Sequence, residues 1–143
     1  MLEVERLESR YGRIPALAGV SLHVAAGELV ALVGAATTLA QIGEDERLAL
    51  LHPVVESIAS PSIRNLATVG GNLFVKQPYG DFAVCLLALE ADLQVAGPQG
   101  SRSVSVAHFF EGGIEPQELV AGVRFPLPHA EAAARRRRAP SHR

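Results

Sequence analysis

The sequence predicts an α+β domain, a mostly antiparallel sheet flanked by helices and preceded by a short strand-rich segment. Three observations point to it. Apolar residues alternate with period two near both ends of the chain. Helical spacing fills the middle, and a glycine-proline turn joins two of the later apolar runs. With 143 residues, 48% of them hydrophobic, the chain has room for one ordinary core.

At the start, Leu2 to Glu5, Val20 to Val24 and Glu28 to Val33 read as three strands, separated by the turn residues Tyr11-Gly12 and Ala26-Gly27. The pattern then changes. Thr37-Thr38 can cap a helix running through Leu39 and Ile42, and Glu44 to Leu51 continues helical after Gly43. His52-Pro53 punctuates, and Val54, Val55 and Ile58 share a helical face. Ser60 and Pro61 form the cap and first position of a short helical turn through Ile63 and Leu66. After a glycine pair in the apolar stretch Ala67 to Leu73 and a turn at Pro78-Tyr79-Gly80, Asp81 is expected to cap a buried helix over Phe82 to Leu89. Asp92 to Ala96 and Ser101 to Val106 read as a hairpin across Gly97-Pro98-Gln99-Gly100. A turn or short helix at Ala107 to Phe110 follows, and Glu118 to Phe125 is the last strand, closed by Pro126 and Pro128.

Composition excludes several classes. Cys85 is the single cysteine, so no internal disulfide forms, and its place inside an apolar run marks it as core and not nucleophile. The longest apolar run, Phe82 to Leu89, is far short of the roughly 20 residues of a membrane span. The charged Met1 end has no apolar signal core, which predicts a cytoplasmic protein. Formal net charge is −2, but five arginines and one glutamate fall in residues 131–143, a basic tail on an acidic body. That tail has no apolar period and no interleaved aromatic, so residues 129–143 are expected to be disordered and no nucleic-acid partner is expected. His23, His52 and His108 share no ligand spacing, so no metal site is expected. No catalytic nucleophile set can be assembled from the remaining polar residues.

Two features can carry chemistry. Gly70 and Gly71, flanked by Thr68 and Asn72, offer peptide donors, a hydroxyl and an amide within five residues, a set suited to a pyrophosphate. A bare glycine pair more often marks a tight turn or β-bulge than a ligand site. Asp81 can cap its helix or accept hydrogen bonds from the hydroxyls of a sugar-like group, and the two roles can coexist.

Residues 33–128 resemble the FAD-binding domain of the molybdenum hydroxylases, the family of carbon monoxide dehydrogenase medium subunits and xanthine dehydrogenase flavin domains. The resemblance is carried by Gly34-Ala-Ala-Thr-Thr-Leu39, His52-Pro53, Ile58-Ala-Ser-Pro-Ser-Ile-Arg-Asn-Leu-Ala-Thr-Val-Gly-Gly-Asn72 and Tyr79-Gly-Asp81. It continues through Leu86-Leu-Ala-Leu-Glu-Ala-Asp92 and Glu118-Leu-Val-Ala-Gly-Val-Arg-Phe-Pro126. It implies the second subdomain of such a flavin domain. It implies FAD as cofactor, with Ala67, Thr68, Gly70, Gly71 and Asn72 at the pyrophosphate and Gly80 and Asp81 also facing FAD. It implies a relay of electrons from a two-iron two-sulfur small subunit through FAD to an external acceptor, beside a molybdopterin-binding large subunit. The family's glycine-rich first FAD motif and its C-terminal domain are not found in this sequence, which implies poor FAD affinity or none.

Residues 1–34 resemble instead the first strands of an ABC transporter ATPase of the branched-chain amino acid type, through Tyr11-Gly-Arg-Ile-Pro-Ala-Leu-Ala-Gly-Val-Ser-Leu22 and Gly27-Glu-Leu-Val-Ala-Leu-Val-Gly34. The phosphate loop that should follow needs a second glycine and a lysine, and Ala-Ala-Thr-Thr-Leu39 has neither, so ATP hydrolysis is excluded. The expected division is therefore an ATPase-like segment over 1–33, a partial flavin domain over 34–128 and a tail over 129–143. The alternative to a flavin subunit is a non-functional or truncated chimera of the two.

Overall fold

The computed structural model describes residues 2–11, 14–76 and 80–127. The expected basic tail over 129–143 and the turn at Pro78-Tyr79 lie outside the described residues. Strands β1 (Leu2–Tyr11) and β2 (Ile14–Val24) pair antiparallel as a two-stranded sheet. A turn follows, with the Glu28 N–H donating to the Ala25 carbonyl and Gly27 at a φ of 78°, the left-handed region that glycine enters without strain.

The main sheet is four-stranded, in the order β3 (Val30–Gly34), β6 (Leu119–Pro126), β4 (Asp92–Gly97), β5 (Gly100–Ser105), and every neighbouring pair is antiparallel. Residues 30–33, grouped with the lead-in by sequence resemblance, form its edge strand. The β4–β5 hairpin turns where Gly97 and Gly100 predicted it, with Gly100 at a φ of 112°. Leu93, Gln94 and Val95 are buried in succession, so β4 is covered on both faces.

Between β3 and β4 the chain makes short helices: α1 (Leu39–Glu44), α2 (His52–Ser57), α3 (Pro61–Arg64), α4 (Val69–Leu73) and α5 (Asp81–Ala88). A 3-10 turn over Glu46–Leu51 separates α1 from α2. Helix α6 (Val106–Gly112) follows β5, capped by the Ser105 hydroxyl. Three of them turn an apolar stripe inward at helical spacing: Leu39 and Ile42 from α1, Val69 and Leu73 from α4, Phe82 and Leu86 from α5. These meet Leu93, Val123 and Phe125 of the sheet in one core. Most of these helices are too short to persist alone in water, so burial against the sheet holds them.

Two local expectations are corrected. The glycine pair lies inside the helix α4, not in a tight turn or bulge. Asp81 does not cap α5: Gly80 is the N-cap, and Asp81 is the first helical residue with an exposed side chain. There its negative charge favours the positive end of the helix without capping it.

Arg124 of β6 ties the lead-in to the main sheet. Its Nη2 donates to Glu28 Oε1 at 3.0 Å and to the His23 carbonyl at 3.3 Å, while Nη1 lies 3.4 Å from Asp92 Oδ2.

Candidate functional site

The residues singled out in sequence fall into two groups. Ala67, Thr68, Gly70, Gly71 and Asn72 lie together at the start of α4, and Gly80 and Asp81 lie at the start of its packing neighbour α5. No hydrogen bond joins the two groups among the described residues.

The first group is built by a second loop that sequence alone did not bring to it. Residues 34–39 lie antiparallel to residues 67–70, with Thr38 opposite Thr68. Three backbone hydrogen bonds zip the loops: Leu39 N–H to the Ala67 carbonyl at 2.9 Å, Val69 N–H to Thr37 at 2.9 Å, and Gly70 N–H to Ala35 at 2.8 Å. Ala35 is itself anchored to the sheet, its N–H donating to the Ala121 carbonyl at 2.9 Å. Thr38 and Thr68 each cap the helix that follows: Thr38 Oγ1 accepts from the Gln41 N–H and Thr68 Oγ1 from the Gly71 N–H. Directly opposed residues of an antiparallel pair share a face, so the two hydroxyls stand on one side. Thr38 was legible only as a cap; its partnership with Thr68 is a tertiary fact.

The glycines do different work. A Cβ at Gly70 would stand 3.1 Å from both the Cβ and the carbonyl oxygen of Ala35, so glycine there permits the loops to close. Gly71 is exposed, and a Cβ on it would meet only Thr68 Oγ1, at 3.2 Å. Both glycine N–H groups are already bonded within the fold, which alters the expectation that they supply ligand donors. What remains open is the Thr68 backbone N–H, which has no partner among the described residues, and the Thr68 hydroxyl proton. Asn72 Nδ2 donates to the Thr68 carbonyl at 2.8 Å and keeps a second hydrogen.

Arg64, within the same sequence motif, faces elsewhere. Its Nη1 donates to the carbonyls of Ile58 at 2.9 Å and Ala59 at 2.8 Å, closing the end of α2 where Ala59 takes a φ of 48°. The cation is structural, and residues 34–39 and 67–72 carry no charged side chain. An anion seated here is met by N–H and O–H dipoles beside an uncovered glycine surface, a donor set that fits a pyrophosphate.

A family model described as the FAD binding domain in molybdopterin dehydrogenase matches residues 10–128. The chain belongs to this family. Among curated relatives, the carbon monoxide dehydrogenase medium chain of Afipia carboxidovorans is 36% identical over 105 residues, covering 68% of this chain and 36% of that one. The xanthine dehydrogenase FAD-binding subunit of Escherichia coli O157:H7 is 35% identical over 102 residues, covering 66% of this chain and 35% of that one. The chain therefore spans little more than a third of the length of these relatives. Among solved structures, the carbon monoxide dehydrogenase of Hydrogenophaga pseudoflava superposes with a TM-score of 0.66 at 29% identity, over 73% of this chain and 40% of that one. Quinoline 2-oxidoreductase from Pseudomonas putida 86 gives a TM-score of 0.62 at 27% identity, over 70% of this chain and 38% of that one.

The fold is thus that of the flavin domains of this family, and its cofactor class is FAD. The match begins at residue 10, inside the segment that resembles an ATPase start, and the comparisons do not favour a chimera. Among the described residues no cluster of three His, Cys, Asp or Glu side chains could hold a metal ion, and no helix is long and apolar enough to cross a membrane.

Proposed function

We propose that the chain supplies one wall of the FAD site in the flavin subunit of a molybdenum hydroxylase. Ala67, Thr68, Gly70, Gly71 and Asn72 hold the pyrophosphate in this reading, and Gly80 and Asp81 face the cofactor from α5. The observation that carries it is the uncovered Gly71 beside the open N–H and hydroxyl of Thr68, held in place by the zipped loops. Thr68 and Asn72 donate to the phosphate oxygens, the glycine surface lets the phosphates approach the backbone, and the exposed Asp81 carboxylate accepts from hydroxyls. FAD, when bound, supplies the electron chemistry. The chain's own residues bind and orient it.

The same proposal covers the assembly. The chain works in the cytoplasm beside a molybdopterin-binding large subunit and a two-iron two-sulfur small subunit, passing electrons from the latter through FAD to an external acceptor. Relatives named as medium chains and FAD-binding subunits support the subunit role. The division at residues 33 and 128 remains part of the proposal; the separate sheet of β1 and β2 supports a distinct lead-in only as far as Val24, since β3 belongs to the main sheet.

The experiment is a titration of the purified chain with FAD, following flavin fluorescence. Saturable binding that is lost in Gly71→Val supports the site. Absence of binding, or identical binding by the variant, refutes it.

A further inference from the structure

The glycine surface at the site depends on a second glycine position far away in sequence. Along β4 the pairing passes from Gln94 opposite Gly122 to Val95 opposite Val120, so Ala121 is the extra residue of a β-bulge in β6. Along β3 the pairing runs without interruption to Gly34 opposite Gly122, and the next contact is the Ala121 carbonyl accepting from the Ala35 N–H. A Cβ on Gly122 would stand 2.9 Å from the Val33 carbonyl oxygen and 3.7 Å from Gly34 Cα. Both are backbone atoms, so no change of rotamer relieves the contact, and the β3–β6 pairing has to shift there. Ala35 moves with it, and Ala35 is the residue whose carbonyl holds the Gly70 N–H.

We infer that Gly122 is a positioning residue of the flavin site. The missing side chain at the bulge lets β3 close on β6, and the peptide chain Ala121 to Ala35 to Gly70 then places Gly71 and the open Thr68 N–H. Gly122 reaches the site through this chain of backbone contacts. The inference rests on the FAD reading for its consequence, though not for its geometry.

The test compares Gly122→Ala with Gly97→Ala in the full chain. A Cβ at Gly97 would meet Glu118 Cγ at 2.8 Å, so that variant disturbs the same sheet at the β4–β5 hairpin. Two readouts are taken: amide hydrogen exchange at Gly70 without flavin, and FAD affinity together with the visible circular dichroism of bound flavin. Gly122→Ala is expected to speed Gly70 exchange and weaken FAD by about tenfold or more each, with an altered flavin spectrum, while Gly97→Ala changes neither. Unchanged Gly70 exchange in Gly122→Ala, or an equal rise in Gly97→Ala, overturns the inference. If the parent chain binds no FAD but Gly70 exchange responds as expected, the FAD reading fails and the positioning role stands. If the parent binds FAD and Gly122→Ala binds it equally well, the positioning role fails. Should Gly122→Ala not fold, the pair is measured in a Gly112→Ala background, where the added Cβ meets nothing within 4 Å.

Discussion

The two loops that meet at the site begin their helices in the same way and finish them differently. In the first, Thr38 accepts from the Gln41 N–H, and the Gln41 side chain returns to the Thr38 N–H at 2.9 Å. In the second, Thr68 accepts from Gly71, and glycine has no side chain to return. The Thr68 N–H is therefore left without a partner among the described residues. One residue at the third helical position separates a closed cap from one that still has a donor to offer. A helix start of this kind keeps an open donor because its third residue has no side chain to return.

The comparison can be broken most severely at Gly70. In Gly70→Val the new side chain meets Ala35 at 3.1 Å and forces the two loops apart. The expected result is about 1–3 kcal/mol of lost stability in urea unfolding, with no measurable FAD binding. Gly71→Gln makes the second loop resemble the first. A returning glutamine would take the open Thr68 N–H, so FAD affinity should fall by about tenfold or more, the loss of one charge-assisted hydrogen bond. Stability should hold or rise by up to about 1 kcal/mol, because glycine is poor in a helix. An affinity loss matched by a stability loss would remove the argument from the open donor.

A smaller effect separates the two threonines. Thr38→Val and Thr68→Val should each cost about 1 kcal/mol as lost caps, and only the second should weaken FAD. Equal effects on flavin would show that both loops face the ligand. Acid should act least on either loop, since neither carries an ionisable side chain. It should act on Glu118, where the Arg102 hydrogen bonds lower the carboxyl from its usual 4.5 to about 2. That contribution is complete above about pH 4.5 and is lost as the pH falls toward 2. In Glu118→Gln the acid branch of a thermal-melting pH profile should flatten there, leaving the neutral melting temperature within a few degrees.

Much of this architecture was legible in the chain. The Thr38 cap, the Gly97 to Gly100 hairpin and the last strand follow from residue types that act locally, and the structure places them where those residues predict. The order of the sheet was not legible, because inserting β6 between β3 and β4 is decided by burial of Val123 and Phe125 against distant helices. The glycine pair misled for a related reason. Two glycines disfavour a helix by about 1 kcal/mol each, yet bonds from Val69 and Gly70 to the neighbouring loop hold them in one. Asp81 and Gly80 are both good cap residues, and only backbone geometry shows which serves. The candidate residues of α4 were legible as a cluster, but their open donors were not, because bonds across the loops determine which N–H groups remain open.

Cys85 is the single cysteine, half-buried on α5 four residues after Asp81, and burial pushes its thiol above the usual value. The thiolate is the form that attacks alkylating reagents, so the labelling rate of this partly exposed thiol at fixed pH reports how α5 presents it to solvent. The protein thus carries a native probe with no competing thiol. A ligand that seats against the start of α5 will slow the labelling, and mass spectrometry can follow it without any colour, label or engineered residue.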